Sequence, residues 1–341
     1  MSEVSRPSKR LRFFPEGELE DAAAELDGAP PSMGTLEHDE EFWLEDGNIV
    51  LVSSNIAFRI YRGLLAAQSS IFADMFTAAS SRADESYEGC PVIHLSESPE
   101  DLRRFLRVLL PKSRRTFVGD PSETDASFEQ VFAVVRLSHK YQVDDILQQA
   151  MVYLKRYYTS RPGLSESADA IPFTQTHGIG AVNLAILTDT PAILPRALLD
   201  CASLGSDVLD GWTREDGSVE HLSDSDLRMV LDARDRLIVE AFYSLRKAFG
   251  GSPSMYCGDW QVCRDAMREL LLAGMDVGRG GFEPKSLFDS WECILDEADD
   301  DPLCSACLEE YHKNQKKVLE DLWLCLPSFF GLNIPGWPTD M

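Results

Sequence analysis

Basic residues are scarce in this chain of 341 residues: 32 Lys and Arg stand against 57 Asp and Glu, for a net charge of -25. A field of that sign repels phosphate backbones and anionic bilayers, so the folded body is expected to bind neither nucleic acid nor membrane. Long apolar runs are missing too. No stretch of eighteen apolar residues exists, so no membrane-spanning helix is expected. The N-terminus is polar and charged and lacks the apolar segment of a secretory signal, which makes an intracellular location, cytoplasmic or nuclear, the expectation. In that setting the eight cysteines read as reduced thiols or metal ligands rather than as a disulfide framework. Catalytic signatures are absent as well. There is no G-x-S-x-G, no phosphate-cradling loop and no H-E-x-x-H, and the six histidines show no clear pairing with a nucleophile. The chain is therefore not expected to be an enzyme.

What the chain does contain is clearest from Asp46 to Phe76. The run Asn48 to Ser53 reads as a short, largely buried strand. Ser54-Asn55 supplies a turn, and Ala57 to Tyr61 a second strand with Phe58 and Ile60 on one face. From Arg62 the period becomes helical, with Leu64, Leu65, Ile71, Phe72, Met75 and Phe76 on a stripe broken near Gln68 to Ser70. Pro91 to Leu95 reads as a further strand and Pro99 to Leu110 as a helix, with Leu102, Phe105, Leu106 and Leu109 on one side. Val131 to Val143 and then Leu147, Met151 and Leu154 read as paired helices around a Lys140-Tyr141 turn. The segments Ala78 to Gly89 and Lys112 to Ser127 read as exposed loops.

In order and spacing these pieces resemble a BTB/POZ domain: Asp46-Gly47, Ile49-Val52, Phe58-Arg59-Ile60-Tyr61, then Leu65 through Ser69, Phe72, Met75 and Phe76. Tyr61 departs from the family pattern, which usually has His there; the change is expected to alter a hydrogen-bond partner and leave the fold intact. The resemblance implies an α/β (α+β) BTB/POZ fold followed by a mostly α-helical C-terminal domain. The expected organisation is a disordered acidic tail over 1–40, the BTB/POZ domain over 41–158, a linker over 159–180 and the helical domain over 181–341. The tail opens with Lys9-Arg10-Leu11-Arg12, which reads either as a nuclear import signal or as a solvated basic end. From Glu16 to Asp46 there are twelve acids and no Lys or Arg.

In the C-terminal half, Asp224 to Phe249 forms the strongest helical stripe, through Leu227, Val230, Leu231, Leu237, Ile238, Ala241, Phe242, Leu245 and Phe249, with Ser223 placed as N-cap and Gly250-Gly251 as the stop. Pro191 to Ala202, Gln261 to Ala273 and Ser305 to Leu326 are further expected helices. Cys257-x5-Cys263 and Cys304-x2-Cys307 are two short pairs of the kind a fold can bring together as four soft ligands for a tetrahedral structural zinc. The competing reading makes them small buried hydrophobes, since Cys304, Cys307, Leu308 and Tyr311 share a helical face. His312 is either a substitute ligand or a solvated side chain among Lys313, Lys316 and Lys317. Cys90, Cys201, Cys293 and Cys325 read as packing residues. Leu303 to Trp337, with LCSAC and a later FFGL and PGW, resembles the C-terminal region of fungal BTB-domain proteins in which such Cys pairs recur. That resemblance favours zinc.

What the family implies is protein-protein interaction: a homodimerising scaffold or adaptor, with a cullin of a RING ubiquitin ligase as candidate partner and the helical domain selecting the client. A nuclear transcriptional co-regulator without its own DNA-binding module is the alternative. An enzyme active in the helical domain is the second.

Overall fold

The computed structural model describes residues 36–81, 86–110, 126–162, 171–275, 282–298 and 302–337. Strands β2 (Ile49–Ser53) and β3 (Ile56–Ile60) form an antiparallel hairpin whose turn holds Ser54 at φ 51°. β5 (Cys90–Leu95) runs parallel to β2 on its other side. This central position buries all five residues of β2, which is why its sequence is apolar rather than alternating. β4 (Ser86–Tyr87) and β1 (Glu37–Trp43) complete the order β1-β3-β2-β5-β4. Tyr61 finds the partner its substitution demands, donating its hydroxyl to Asp46.

β1 begins at Glu37, inside the stretch that composition assigned to a disordered acidic tail; residues 1–35, including Lys9-Arg10-Leu11-Arg12, lie outside the described residues. The acidic run Glu37 to Glu41 is held as a strand by Asp39. Its buried carboxylate accepts from the backbone N–H of Glu41 (3.0 Å) and Phe42 (2.8 Å), across a break in register, and from Arg103 (2.7 Å). Phe42 then enters the core. One other loop expectation also shifts. The helix Ser70–Ser81 and strand β4 (Ser86–Tyr87) reach into the expected Ala78 to Gly89 loop. Most of Lys112 to Ser127 falls outside the described residues.

Helices α1 (Arg62–Ala66) and α2 (Ser70–Ser81) are separated where the stripe breaks. Serine side chains cap α3 (Pro99–Leu109) at Ser98 and α4 (Phe128–Lys140) at Ser127. After α4, Tyr141 lies fully buried and stacks on Phe72 at 4.2 Å, so the Lys140-Tyr141 turn is anchored before α5 (Asp144–Tyr158) begins.

The C-terminal half contains α6 (His177–Leu187), α7 (Leu194–Ser203), a hairpin of β6 (Trp212–Thr213) and β7 (Val219–Glu220), α8 (Asp224–Phe249), α9 (Trp260–Gly274), the short α10 (Glu292–Asp296) and α11 (Ser305–Phe329). Ser223 caps α8 as expected. Leu231, assigned from the sequence to its buried stripe, instead faces solvent, and the inward face follows Val230, Ala233, Leu237, Ala241 and Leu245.

One apolar cluster runs without a break from Phe58, Phe105 and Phe132 through Ile179, Leu198 and Val230 to Trp323. The stretch read as a linker is described at 159–162 and from 171, and its aromatic residues lie in this cluster's neighbourhood. Phe173 packs against Phe128, and His177 stacks on Phe128 at 4.5 Å. Burial holds the His177 imidazole down at about 4. Gly180 permits the approach, because a Cβ there would meet Trp212 at 2.7 Å and Phe128 at 2.8 Å.

The β6–β7 hairpin carries the decisive polar contact. Period-2 spacing sets Trp212 and Arg214 on one side, and Gly217 (φ 83°) closes the turn. Trp212 packs on Phe128 and Phe132. Arg214, with a side chain 2% exposed, donates to both oxygens of Asp101 at 2.9 and 2.6 Å and to Glu129 Oε2 at 3.2 and 2.9 Å. Desolvation opposes its charge, but the Asp101 and Glu129 carboxylates outweigh that and raise its pKa. A second tie lies nearby: Arg196 of α7 donates to the carbonyls of Tyr157 (2.8 Å) and Ser160 (2.7 Å) at the end of α5. Close by in the chain, burial pushes Asp200 up to about 7, with Arg196 opposing, and its Oδ2 has no hydrogen-bond partner.

Two outcomes follow. Arg214→Ala removes the main cation between two buried carboxylates, leaving Arg104 at 3.5 Å from Asp101 and 3.9 Å from Glu129, and should cost about 3 kcal/mol in urea unfolding; a loss within experimental error would contradict the role assigned to it. Asp200 has its pKa raised from 3.8. Its contribution is therefore fully present below the unfolded value and is lost as pH rises through about 7. Wild-type stability should fall between those values by up to about 1.4 kcal/mol per pH unit relative to Asp200→Asn; parallel pH profiles would contradict this.

Candidate metal centre

Helices α8 and α11 run past each other and join two cores. Their ends near Val230 and Trp323 lie in the large cluster, while Leu245, Phe249, Cys307 and Tyr311 belong to a second, smaller one with Met267, Leu270 and Ile294. Phe249 stacks on Tyr311 at 4.9 Å, which delivers the loop after α8 to the start of α11. At the edge of this small core lie Cys257, Cys263, Cys304 and Cys307, with their four sulfurs all within 4.8 Å of one another. The two expected pairs are thus brought together. Four thiolates around one zinc at about 2.3 Å set sulfurs about 3.8 Å apart, and Cys257 Sγ lies 3.8 Å from Cys304 Sγ. The cluster can hold a metal ion.

Local geometry explains the convergence. Cys304 is the N-cap of α11, and the x2 spacing puts Cys307 in its first turn. Cys257 sits in the loop before α9, whose N-cap Asp259 accepts from Val262 N at 3.2 Å; Cys263 follows inside the helix. Two helix N-termini therefore face the sulfurs, an arrangement that favours negative charge. Backbone donors reach them directly: Ser254 N to Cys307 Sγ and Cys304 N to Cys263 Sγ, each 3.4 Å. The Cys307 backbone N–H is the main cause that lowers the Cys304 thiol to about 6. Desolvation and the neighbouring Cys307 raise Cys257 to about 12, and desolvation raises Cys307. This is the division expected when crowded thiols compete for one negative charge.

His312 lies outside the cluster, exposed and 3.7 Å from Glu292. Cys90 and Cys201 are buried, as expected of packing residues. Cys293 and Cys325 correct the sequence reading, because both are exposed: their neighbours Trp291 and Trp323 turn inward, against Phe282 and Phe288, while the thiols face out.

Sequence reasoning missed two features. Arg214 was signalled by Asp216-Gly217, a strong short-range hairpin signal. The other is an outward apolar run beside the cysteines: Met255 is 87% exposed, Tyr256 80%, Val262 59% and Trp260 47%. A cleft of about 640 Å³ beside the hairpin is lined by charged groups engaged with one another, among them Arg136 with Glu220, Lys140 with Glu97 and Arg214 with Asp101.

Residues 43–157 match the family model for the BTB/POZ domain. The sheet with α1 to α5 is a BTB/POZ domain, a protein-interaction module, and the helices after it extend its core. The chain is thus a BTB/POZ-domain protein with a helical C-terminal region. No curated protein matches it. Among the described residues no helix is long and apolar enough to cross a membrane.

Proposed function

We propose that the protein is an adaptor: the BTB/POZ domain, over 41–158, dimerises and recruits a cullin of a RING ubiquitin ligase, and the helical body, over 181–341, presents the client. The BTB/POZ match over residues 43–157 carries this reading. Two further observations support it. Arg214 and the continuous core join the parts stiffly, as an adaptor needs if it is to hold a client at fixed reach. Met255, Tyr256, Trp260 and Val262 give the helical body an apolar surface beyond what a solvated loop requires. The hairpin covers the Asp101 and Glu129 ends of α3 and α4, so recruitment uses other faces of the BTB/POZ domain.

The cysteine cluster is, in this reading, a structural zinc centre held by Cys257, Cys263, Cys304 and Cys307. It stabilises a core too small to hold the Met255-Tyr256 loop by packing alone. The four thiol donors, their spacing and the two helix N-termini all fit a tetrathiolate zinc site.

Elemental analysis of purified full-length protein should find one zinc per chain, and chelation should lower the thermal midpoint; a metal-free, chelator-indifferent protein would remove the zinc. Capture of the full-length chain from native cells should recover a cullin. Met255→Asp/Tyr256→Asp should keep the cullin and lose the client about tenfold or more, the cost of a buried interface anchor. Light scattering should report a dimer. A strict monomer that recovers no cullin, or recovers nuclear repressor assemblies in its place, would sink the ligase reading.

A further inference from the structure

The four sulfurs divide into two classes. Cys263 and Cys307 are 3% and 2% exposed and are fixed within α9 and α11. Cys257 and Cys304 are only half-buried, and their sulfurs touch at 3.8 Å. Cys257 also lies on a loop with room to move: Met255 and Tyr256 before it are almost fully exposed, and a Cβ on Gly258 after it would meet nothing within 4 Å. We propose that Cys257 and Cys304 are the oxidisable half of this centre, and that a peroxide joins them in a disulfide that releases the metal and unfastens the Met255-Tyr256 loop.

This inference rests on the zinc reading for its consequence, though the pairing itself concerns the sulfurs alone. One thiolate attacks the peroxide, breaking the O–O bond, and becomes a sulfenic acid as hydroxide leaves. The second thiolate attacks that sulfur; the S–S bond forms, the S–O bond breaks and a second hydroxide leaves. The two sulfurs give up two electrons, the peroxide accepts them, and two protons turn the hydroxides into water. The sulfurs must close from 3.8 Å to about 2.05 Å, a movement within reach of a loop residue. Two thiolates remain, and a site built for four soft ligands no longer retains its ion. Because Cys257 is the second residue after Met255, the same event moves the apolar surface assigned to the client. Client binding is thereby coupled to the redox state of the cell.

Full-length protein carrying Cys293→Ser and Cys325→Ser removes the two exposed thiols outside the cluster. Loaded with zinc and titrated with hydrogen peroxide, it should lose its zinc to a chromogenic chelator. A Cys257–Cys304 linked peptide should accumulate in step under non-reducing mass spectrometry, and a thiol reductant with added zinc should restore the start. Release accompanied by a different pairing, or zinc and free thiols that persist in excess peroxide, would overturn the proposal. Failure of the zinc reading looks different: protein that takes up no zinc, while the peptide map still reports which pair forms.

Discussion

The buried charge cluster of Arg214 with Asp101 and Glu129 is the constraint on which the rest of this molecule depends. Each carboxylate comes from the first turns of a BTB/POZ helix, and the guanidinium comes from a two-stranded hairpin more than 80 residues later in sequence. Arg104 flanks both carboxylates at 3.5 and 3.9 Å, while Arg214 donates the side-chain hydrogen bonds that join them. The charges fix the hairpin, the hairpin sets Trp212 against Phe128 and Phe132, and that wall positions α6 through Gly180. A buried ion pair is a poor source of net stability but a strong source of register, since any other docking strands charges in an apolar interface. The C-terminal helices accordingly extend the BTB/POZ core.

Helices α8 and α11 lead from the large apolar core to a smaller one. Where these helices leave the large core they enclose a small cluster, and the cysteines stand at its far edge. A core of that size is marginal in water, and four free thiols close enough to hold one metal ion lie beside it. Among the described residues the most exposed large apolar side chains, Met255 and Tyr256, lie on the segment that leads into Cys257. Packing and the Arg214 charges hold the BTB/POZ end of the molecule, and the end that displays apolar surface carries the four thiols.

Much of this was legible in the sequence, for definable reasons. β2, α3 and the α4–α5 pair announced themselves because local periodicity and capping serines agree with their tertiary roles. The Cys pairs were legible because the two members of each pair lie within a few residues of one another in the chain. Other features were hidden. β1 looked like an acidic tail because its stability comes from Asp39 meeting Arg103, 64 residues away in sequence. Leu231, Cys293 and Cys325 were assigned inward because apolar type says nothing about which side of a helix a distant partner will cover.

By itself, then, the sequence determined the BTB/POZ module, the long helices and four thiols in two pairs, since these rest on interactions between neighbours in the chain. Only the tertiary structure decided that the two halves share one core, that Arg214 closes the seam, and that the four sulfurs meet with Cys257 and Cys304 outermost. Those facts rest on long-range pairings of charge, shape and exposure, which a linear pattern does not encode.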